Sequence, residues 1–93
     1  MYKFEWDENK NQLNIKKHKL HFESATQLFN ERVDVILDDR IDYKEKRYIG
    51  FGELENRLMM VVFTKISSNT LRIISFRKAN KREQKEYYKN RLG

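Results

Sequence analysis

The sequence contains no cysteine and no proline, and only three glycines among its 93 residues. Without cysteine, neither a disulfide nor a thiolate metal site can form. Without proline, the turns must be made by Gly, Asn, Asp and Ser. No apolar run approaches the roughly 18 residues of a membrane helix, and no signal-peptide segment is evident. We therefore expect a cytoplasmic protein that contacts no membrane.

Positive charge is concentrated at one end of the chain. Residues 72–93 contain eight Lys or Arg and two Glu, a net charge of +6, whereas residues 1–71 contain twelve charges of each sign. Such a basic segment favours a polyanionic partner, with RNA or DNA as the first candidates. A solvated basic helix that only keeps the protein soluble would show the same count.

The composition and the apolar pattern predict one α+β domain over residues 1–93. Hydrophobic residues make up 39% and aromatic residues 13%, which suffices for one modest core. The predicted order is β-α-α-β-β-β-β-α. Its elements are 4–6, 8–18, 22–29, 33–37, 47–52, 58–63, 71–76 and 81–92. Short connections between the last four strands favour an antiparallel meander, so we expect a twisted, mainly antiparallel sheet packed against helices.

The two predicted N-terminal helices differ in how they could contact a core. The helix over 8–18 is poorly amphipathic, because Leu13 and Ile15 are its only large apolar residues. The helix over 22–29 has one apolar face. That face consists of Phe22, Ala25, Leu28 and Phe29. We expect this second helix to supply the main core contact.

A strand-to-helix corner forms the centre of the basic segment. Asn80 can cap the last helix, and Glu83 completes a capping box. The basic residues at this corner are Arg72, Arg77, Lys78, Lys81 and Arg82. Arg72 lies in mid-strand among apolar neighbours, so if it is half-buried it needs a carboxylate or an anion as its partner.

Two kinds of side chain could serve as a base near a phosphate. His18 and His21 are the only side chains with an ordinary pKa near neutrality. Neighbouring lysines should lower the pKa of His18, and both a general base and a surface histidine fit that position. For His21, next to the core residue Phe22, we favour a surface or capping role. Glu23 opens a helix, where an ordinary first-turn acid and a catalytic carboxylate are both compatible with its position.

Three aspartates invite a metal interpretation. Asp38, Asp39 and Asp42 supply the oxygen ligands that Mg²⁺ prefers. However, adjacent strand residues point to opposite faces, and no His/Asp pattern of metal-nuclease type accompanies them. We therefore favour a solvated loop and expect neither a metal ion nor another cofactor.

Several short motifs, spread in order over nearly the whole chain, resemble the BrnT family. They are Phe4-Glu5-Trp6-Asp7-Glu8-x-Lys10-Asn11, Lys17-His18, Phe22-Glu23-x-Ala25, Arg47-Tyr48-x-Gly50 and Arg72-Ile73-Ile74-Ser75-x-Arg77-Lys78-Ala79 with Arg82-Glu83. The resemblance implies a RelE-like fold and a metal-independent endoribonuclease that arrests translation as the toxin of a type II toxin–antitoxin system. It also implies a DNA-binding, BrnA-like antitoxin as partner, with which the toxin could form a hetero-oligomer.

The resemblance suggests roles for nine residues. Arg72 and Arg77 would stabilise the charge on the reacting phosphate, and His18 or Glu23 would act as base. The other residues predicted to bind RNA phosphates are Lys10, Lys17, Lys78, Lys81 and Arg82. The rival hypotheses are a basic module that binds nucleic acid or protein without cleavage, and an inactivated toxin.

The chain departs from the family pattern at the break between its first two helices. Lys19 stands where the family usually has glycine, and His21 stands where serine commonly caps the second helix. Glycine adopts a positive φ easily and lysine does not, so the sequence predicts that this break could be shaped differently here.

Overall fold

The computed structural model describes residues 1–92, with side chains described through Asn90. Its elements are β1 Lys3–Trp6, α1 Glu8–His18, α2 Phe22–Ala25, a 3₁₀ helix Thr26–Asn30, β2 Asp34–Asp38, β3 Arg47–Leu54, β4 Arg57–Lys65, β5 Thr70–Lys78 and α3 Lys81–Leu92. The predicted α+β order is confirmed. The predicted helix over 22–29 is one α-helical turn followed by the 3₁₀ helix. None of the helices in residues 1–92 is both long and apolar enough to cross a membrane.

The five strands form one sheet in the order β1-β5-β4-β3-β2. Strands β2 to β5 pair as the predicted antiparallel meander, and β1 adds to β5 in parallel. Glu55 and Asn56 turn the chain between β3 and β4 with φ values of 53° and 64°. Positive φ at both central residues matches the twist of a two-residue hairpin.

Each face of the sheet has its own apolar cluster. The larger cluster packs α2 and the 3₁₀ helix against the sheet, and its buried members are Phe22, Ala25, Leu28, Met59, Val61, Phe63, Leu71, Ile73 and Phe76. On the other face, the buried members are Ile49, Met60 and Val62. There Tyr87 of α3 lies against Phe51, with ring centroids 6.3 Å apart. The predicted apolar face of the second helix is therefore confirmed as core.

Helix α1 docks on the sheet through a buried asparagine. Because β1 ends at Trp6, the edge of β5 beyond Ile73 has no neighbouring strand. Asn14 takes its place: its Nδ2 donates to the carbonyl of Phe76 at 2.8 Å, and its Oδ1 accepts from the Phe76 N–H at 3.1 Å. The same Nδ2 donates to the carbonyl of Leu20 at 2.9 Å.

A second buried asparagine, Asn11, joins α1 to α2. Its Oδ1 accepts from the backbone N–H of Phe22 at 2.9 Å. By contrast, Leu13 is 66% exposed. The weak amphipathicity of α1 thus has a structural reason, because the buried side of this helix carries amides in place of apolar groups.

A β-bulge in β5 determines which way the basic residues of this strand point. The register between β4 and β5 shifts so that β5 has one extra residue, Ile74. Arg72 and Arg77 then pair with Thr64 and Met60, which lie four positions apart on β4. Since residues separated by an even number share a face of a strand, the bulge brings both arginines to the same face of the sheet.

The break after α1 has the conformation that glycine would adopt. Lys19 ends the helix in the left-handed region, at φ 61° and ψ 30°, and its N–H donates to the carbonyl of Ile15 at 2.8 Å. Such a residue after the last turn is a common helix end, although lysine adopts it at a cost of about 1 kcal/mol relative to glycine. His21 occupies the N-cap position of α2 without a capping side-chain hydrogen bond.

Candidate active site

The strand-to-helix corner is built around Arg77 and Glu83. The predicted capping box is confirmed: the Asn80 N–H donates to Glu83 Oε1 at 2.8 Å, and the Glu83 N–H donates to Asn80 Oδ1 at 2.8 Å. Arg77 Nη1 and Nη2 donate to the two oxygens of Glu83, each at 2.9 Å, and Nη1 also donates to the carbonyl of Lys78. Arg77 holds the pKa of Glu83 below its ordinary value. With these bonds, much of the guanidinium of Arg77 is committed to holding the corner.

Arg72 is paired differently, and its partner comes from the first strand. Glu5 is the register partner of Arg72 in the parallel β1–β5 ladder. Arg72 Nε donates to Glu5 Oε2 at 2.8 Å, and Nη2 lies 2.6 Å from the same oxygen. The side chains are 47% and 42% exposed, respectively. This pair is therefore oriented while remaining accessible from solvent.

The Arg72–Glu5 pair opens into a cleft of about 300 Å³ at the end of β1. Lys10 of α1 lines the same cleft, together with Trp6 and Asp7. The remaining lining residues are Ile73 and Ile74 of β5, at the bulge. We call this the Arg72 cleft. It brings together two cations that the sequence predicted to bind phosphate, Arg72 and Lys10.

Asp7 fixes the start of the helix that carries Lys10. Its side chain accepts from the N–H groups of Asn9 at 2.8 Å and Lys10 at 3.3 Å, as predicted for an N-cap. The side chain of Lys10 therefore extends from the capped first turn of α1, beside the Arg72 cleft.

His18 lies at the other end of α1, near the corner. Burial lowers the pKa of His18 below its ordinary 6.5, and the charges of Lys17 and Arg77 lower this pKa further. The lowered pKa favours the neutral imidazole, which is the form that a general base requires. His18 does not line the Arg72 cleft.

The remaining predicted residues lie outside the cleft. Lys17, Lys78, Lys81 and Arg82 are exposed on α1, at the end of β5 and in the first turn of α3. Glu23 is exposed in the first turn of α2, and its carbonyl accepts from the Thr26 hydroxyl. Among the described residues, no hydrogen bond or ion pair joins Glu23 to Arg72 or Arg77.

Sequence reasoning missed Glu5 and Trp6 as components of the site. Strict alternation in β1 does place Glu5 on the face opposite Phe4 and Trp6. However, the pairing of Glu5 with Arg72 joins residues 67 positions apart, and this register depends on the tertiary fold. The available signals were the alternation in β1 and the presence of Glu5 and Trp6 in the first of the family motifs.

The three aspartates at the end of β2 and in the following loop, Asp38, Asp39 and Asp42, are not grouped as metal ligands in the described part of the chain. The side chain of Asp38 is fully buried, and it accepts from Arg40 Nε at 2.7 Å, Arg40 Nη2 at 2.8 Å and the Tyr43 hydroxyl at 3.2 Å. These bonds, led by that to Arg40, lower the pKa of Asp38 to about 2. The solvated-loop interpretation was wrong for Asp38. Across residues 1–92, no three His, Asp or Glu side chains form a group that could hold a metal ion.

The sheet, the basic corner and the Arg72 cleft define a small α+β protein with accessible cations on its surface. The family model described as "Ribonuclease toxin, BrnT, of type II toxin-antitoxin system" matches residues 6–83. The chain belongs to this family. It is a ribonuclease toxin, and membership of a type II toxin–antitoxin system gives it RNA as substrate and an antitoxin as partner.

A solved structure supports the assignment. The crystal structure of the ribonuclease toxin BrnT from Brucella abortus, at 1.1 Å resolution, is 30% identical in sequence to this chain. The match has a TM-score of 0.68 and covers 87% of this chain and 100% of the Brucella chain. A comparison with curated protein sequences gives no significant match.

Proposed function

We propose that residues 1–93 form one toxin domain that cleaves RNA endonucleolytically at the Arg72 cleft, without a metal ion, and so arrests translation. The observation that carries this proposal is the convergence of Arg72, Lys10 and Glu5 on one accessible cleft. A reacting phosphate gains negative charge in its transition state, and fixed cations beside it stabilise that charge.

The basic surface outside the cleft supports binding of the RNA on either side of the reacting phosphate. Lys17, Lys78, Lys81 and Arg82 are exposed, and such side chains bind phosphates with little dependence on sequence. In this arrangement Arg72 contacts the reacting phosphate, whereas Arg77 orders the corner that presents Lys81 and Arg82.

We further propose that the antitoxin partner is a BrnA-like, DNA-binding protein, that toxin and antitoxin form a hetero-oligomer, and that the toxin acts in the cytoplasm. Net positive charge at the corner favours recognition by an acidic or amphipathic antitoxin segment. Size measurement of the co-expressed pair, with and without operator DNA, tests this proposal. A BrnA-like protein that forms no complex with the toxin would contradict it.

The function is tested by induced expression in bacteria of the wild type, Arg72→Ala and a control, Arg57→Ala. Arg57 is a matched control because its side chain is also 47% exposed and also faces a carboxylate, Glu55, at 3.9 Å. At equal soluble levels, we expect growth arrest and messenger cleavage with the wild type and with Arg57→Ala. Arg72→Ala should relieve both, because loss of a charge stabiliser costs about 10²–10³ in rate.

Purified protein then separates the remaining possibilities. Cleavage that persists in excess EDTA supports a metal-independent reaction, and cleavage abolished by EDTA contradicts it. RNA binding without any cleavage, on naked RNA or on ribosomes, would contradict the ribonuclease proposal. Such a result would favour a binding module or an inactivated toxin.

A further inference from the structure

We propose that Glu5 is the general base of the reaction, taking the proton from the RNA 2′-hydroxyl in the Arg72 cleft. The inference rests on the proposed ribonuclease function and adds a residue with a defined chemical role to it. It replaces His18 and Glu23, which the sequence suggested as bases, because neither of them lines this cleft.

The geometry of Glu5 suits the role. Both contacts with Arg72 fall on Oε2, at 2.8 Å from Nε and 2.6 Å from Nη2. In the described part of the chain, no hydrogen bond is made to Oε1. One carboxylate oxygen is thus anchored, while the other has its full capacity to accept a proton. At 42% exposure the carboxylate can be reached by a substrate.

Position within the fold also favours Glu5. The parallel β1–β5 ladder fixes its backbone beside that of Arg72, so base and phosphate-binding cation lie on neighbouring rigid strands. Lys10 reaches the same cleft from α1. A phosphate held by Arg72 and Lys10 would place the adjoining ribose against Glu5, which is the proximity that general base catalysis requires.

The step balances without a co-reactant other than water. Glu5 takes the 2′-hydroxyl proton as the 2′-oxygen forms a bond to phosphorus and the bond from phosphorus to the 5′-oxygen breaks. The leaving 5′-oxygen takes a proton from water, and Glu5 returns its proton to the hydroxide that remains. The products are a 2′,3′-cyclic phosphate and a 5′-hydroxyl.

The test compares the wild type, Glu5→Gln and a control, Glu55→Gln, on one RNA oligonucleotide cleaved by the wild type. Glutamine keeps an oxygen that can accept from Arg72 but cannot serve as the base. We expect Glu5→Gln to lose about 10²–10⁴ in single-turnover rate. Its affinity for the same oligonucleotide carrying 2′-deoxyribose at the cleavage site should be unchanged or higher, because one negative charge is removed. Glu55 lies in the β3–β4 turn beside Arg57, so Glu55→Gln should match the wild type.

The pH dependence of kcat/KM separates a base from a residue that only positions Arg72. Its acidic limb reports protonation of the essential base, so Glu5→Gln should lose that limb. A slower variant that keeps the acidic limb would make Glu5 a positioning residue and overturn the assignment. A rate within about tenfold of the wild type, or a loss of affinity equal to the loss of rate, would also overturn it. If the wild type cleaves no RNA at all, with or without ribosomes, the proposed function fails and this inference fails with it.

Discussion

Arg77 and Glu83 form a bidentate ion pair, with both N–O distances at 2.9 Å, across the corner between β5 and α3. The side chains are only 27% and 23% exposed. In the pair of Arg72 with Glu5, two nitrogens of Arg72 contact the same carboxylate oxygen of Glu5, and both side chains are about half exposed. The sequence predicts the same role for Arg72 and Arg77, but the structure distinguishes them. Arg77 holds the corner together, whereas Arg72 remains accessible to a ligand.

Arg77→Ala should lower the free energy of unfolding by about 1–2 kcal/mol, because a partly buried, charge-assisted pair is lost. Arg72→Ala should lower it by less than about 1 kcal/mol, as expected for an exposed pair. Urea unfolding measures both values. Addition of Glu83→Ala to Arg77→Ala should cost only what is lost with the capping bond from the Asn80 N–H, because the ion pair is already absent. Equal destabilisation by Arg72→Ala and Arg77→Ala would contradict the distinction.

Asn14→Ala should be among the most destabilising substitutions in α1, at about 2–4 kcal/mol. It leaves the N–H and carbonyl of Phe76 without their partner, and unpaired buried polar groups are costly. Leu13→Ala is the control, and since Leu13 is 66% exposed it should change stability by less than about 0.5 kcal/mol. If Leu13→Ala proved the more damaging change, α1 would be docked by apolar contacts after all.

Asp38 should make the protein sensitive to acid. Its pKa falls from 3.8 to about 2 on folding, so the native state binds fewer protons than the unfolded state in this range. The stabilisation is complete above about pH 4 and is lost as the pH falls towards 2. Because Arg40 is half exposed, we expect its pairing with Asp38 to contribute only about 1–2 kcal/mol to the free energy of unfolding. Asp38→Asn should be less stable at pH 7 and should lose less stability between pH 4 and pH 2, whereas the exposed Asp39→Asn should match the wild type in urea titrations at each pH.

His18 should titrate below its ordinary pKa of 6.5, since burial and the charges of Lys17 and Arg77 all lower its pKa. Proton NMR of the imidazole measures the midpoint directly. Lys17→Gln should move the midpoint upwards but not fully to 6.5, because the effect of burial remains. Lys16→Gln removes the same charge one residue earlier and should have a smaller effect; an equal shift would show that total charge, and not the position of Lys17, sets the pKa of His18.

Sequence signals predicted correctly those features that depend on interactions between residues close together in the chain. The caps at Asp7 and Asn80 and the apolar face of Phe22 and Leu28 depend on neighbours a few residues away, and the structure confirms them. The docking of α1 could not be predicted from local signals. Asn14 stabilises the fold only because it bonds the open edge of β5, and that edge is open because β1 is short.

The Arg72 cleft was only partly predictable for a related reason. Basic residues stand out in a sequence, so Arg72 and Lys10 could be chosen as candidates. The bulge at Ile74 and the register of Glu5 against Arg72 arise from pairing between distant segments. No spacing in the chain encodes either of them.

The two buried asparagines of α1 separate the residues that dock this helix from the residues on its exposed surface. A helix anchored by amide groups at two positions does not need an apolar stripe, so the residues on most of its surface are not required for packing. Lys10 and Lys17 occupy part of that surface. The exposed residues of this helix can therefore change from one relative to another while Asn11 and Asn14 keep their docking bonds, so the outer surface of α1 can diverge without a change in the core.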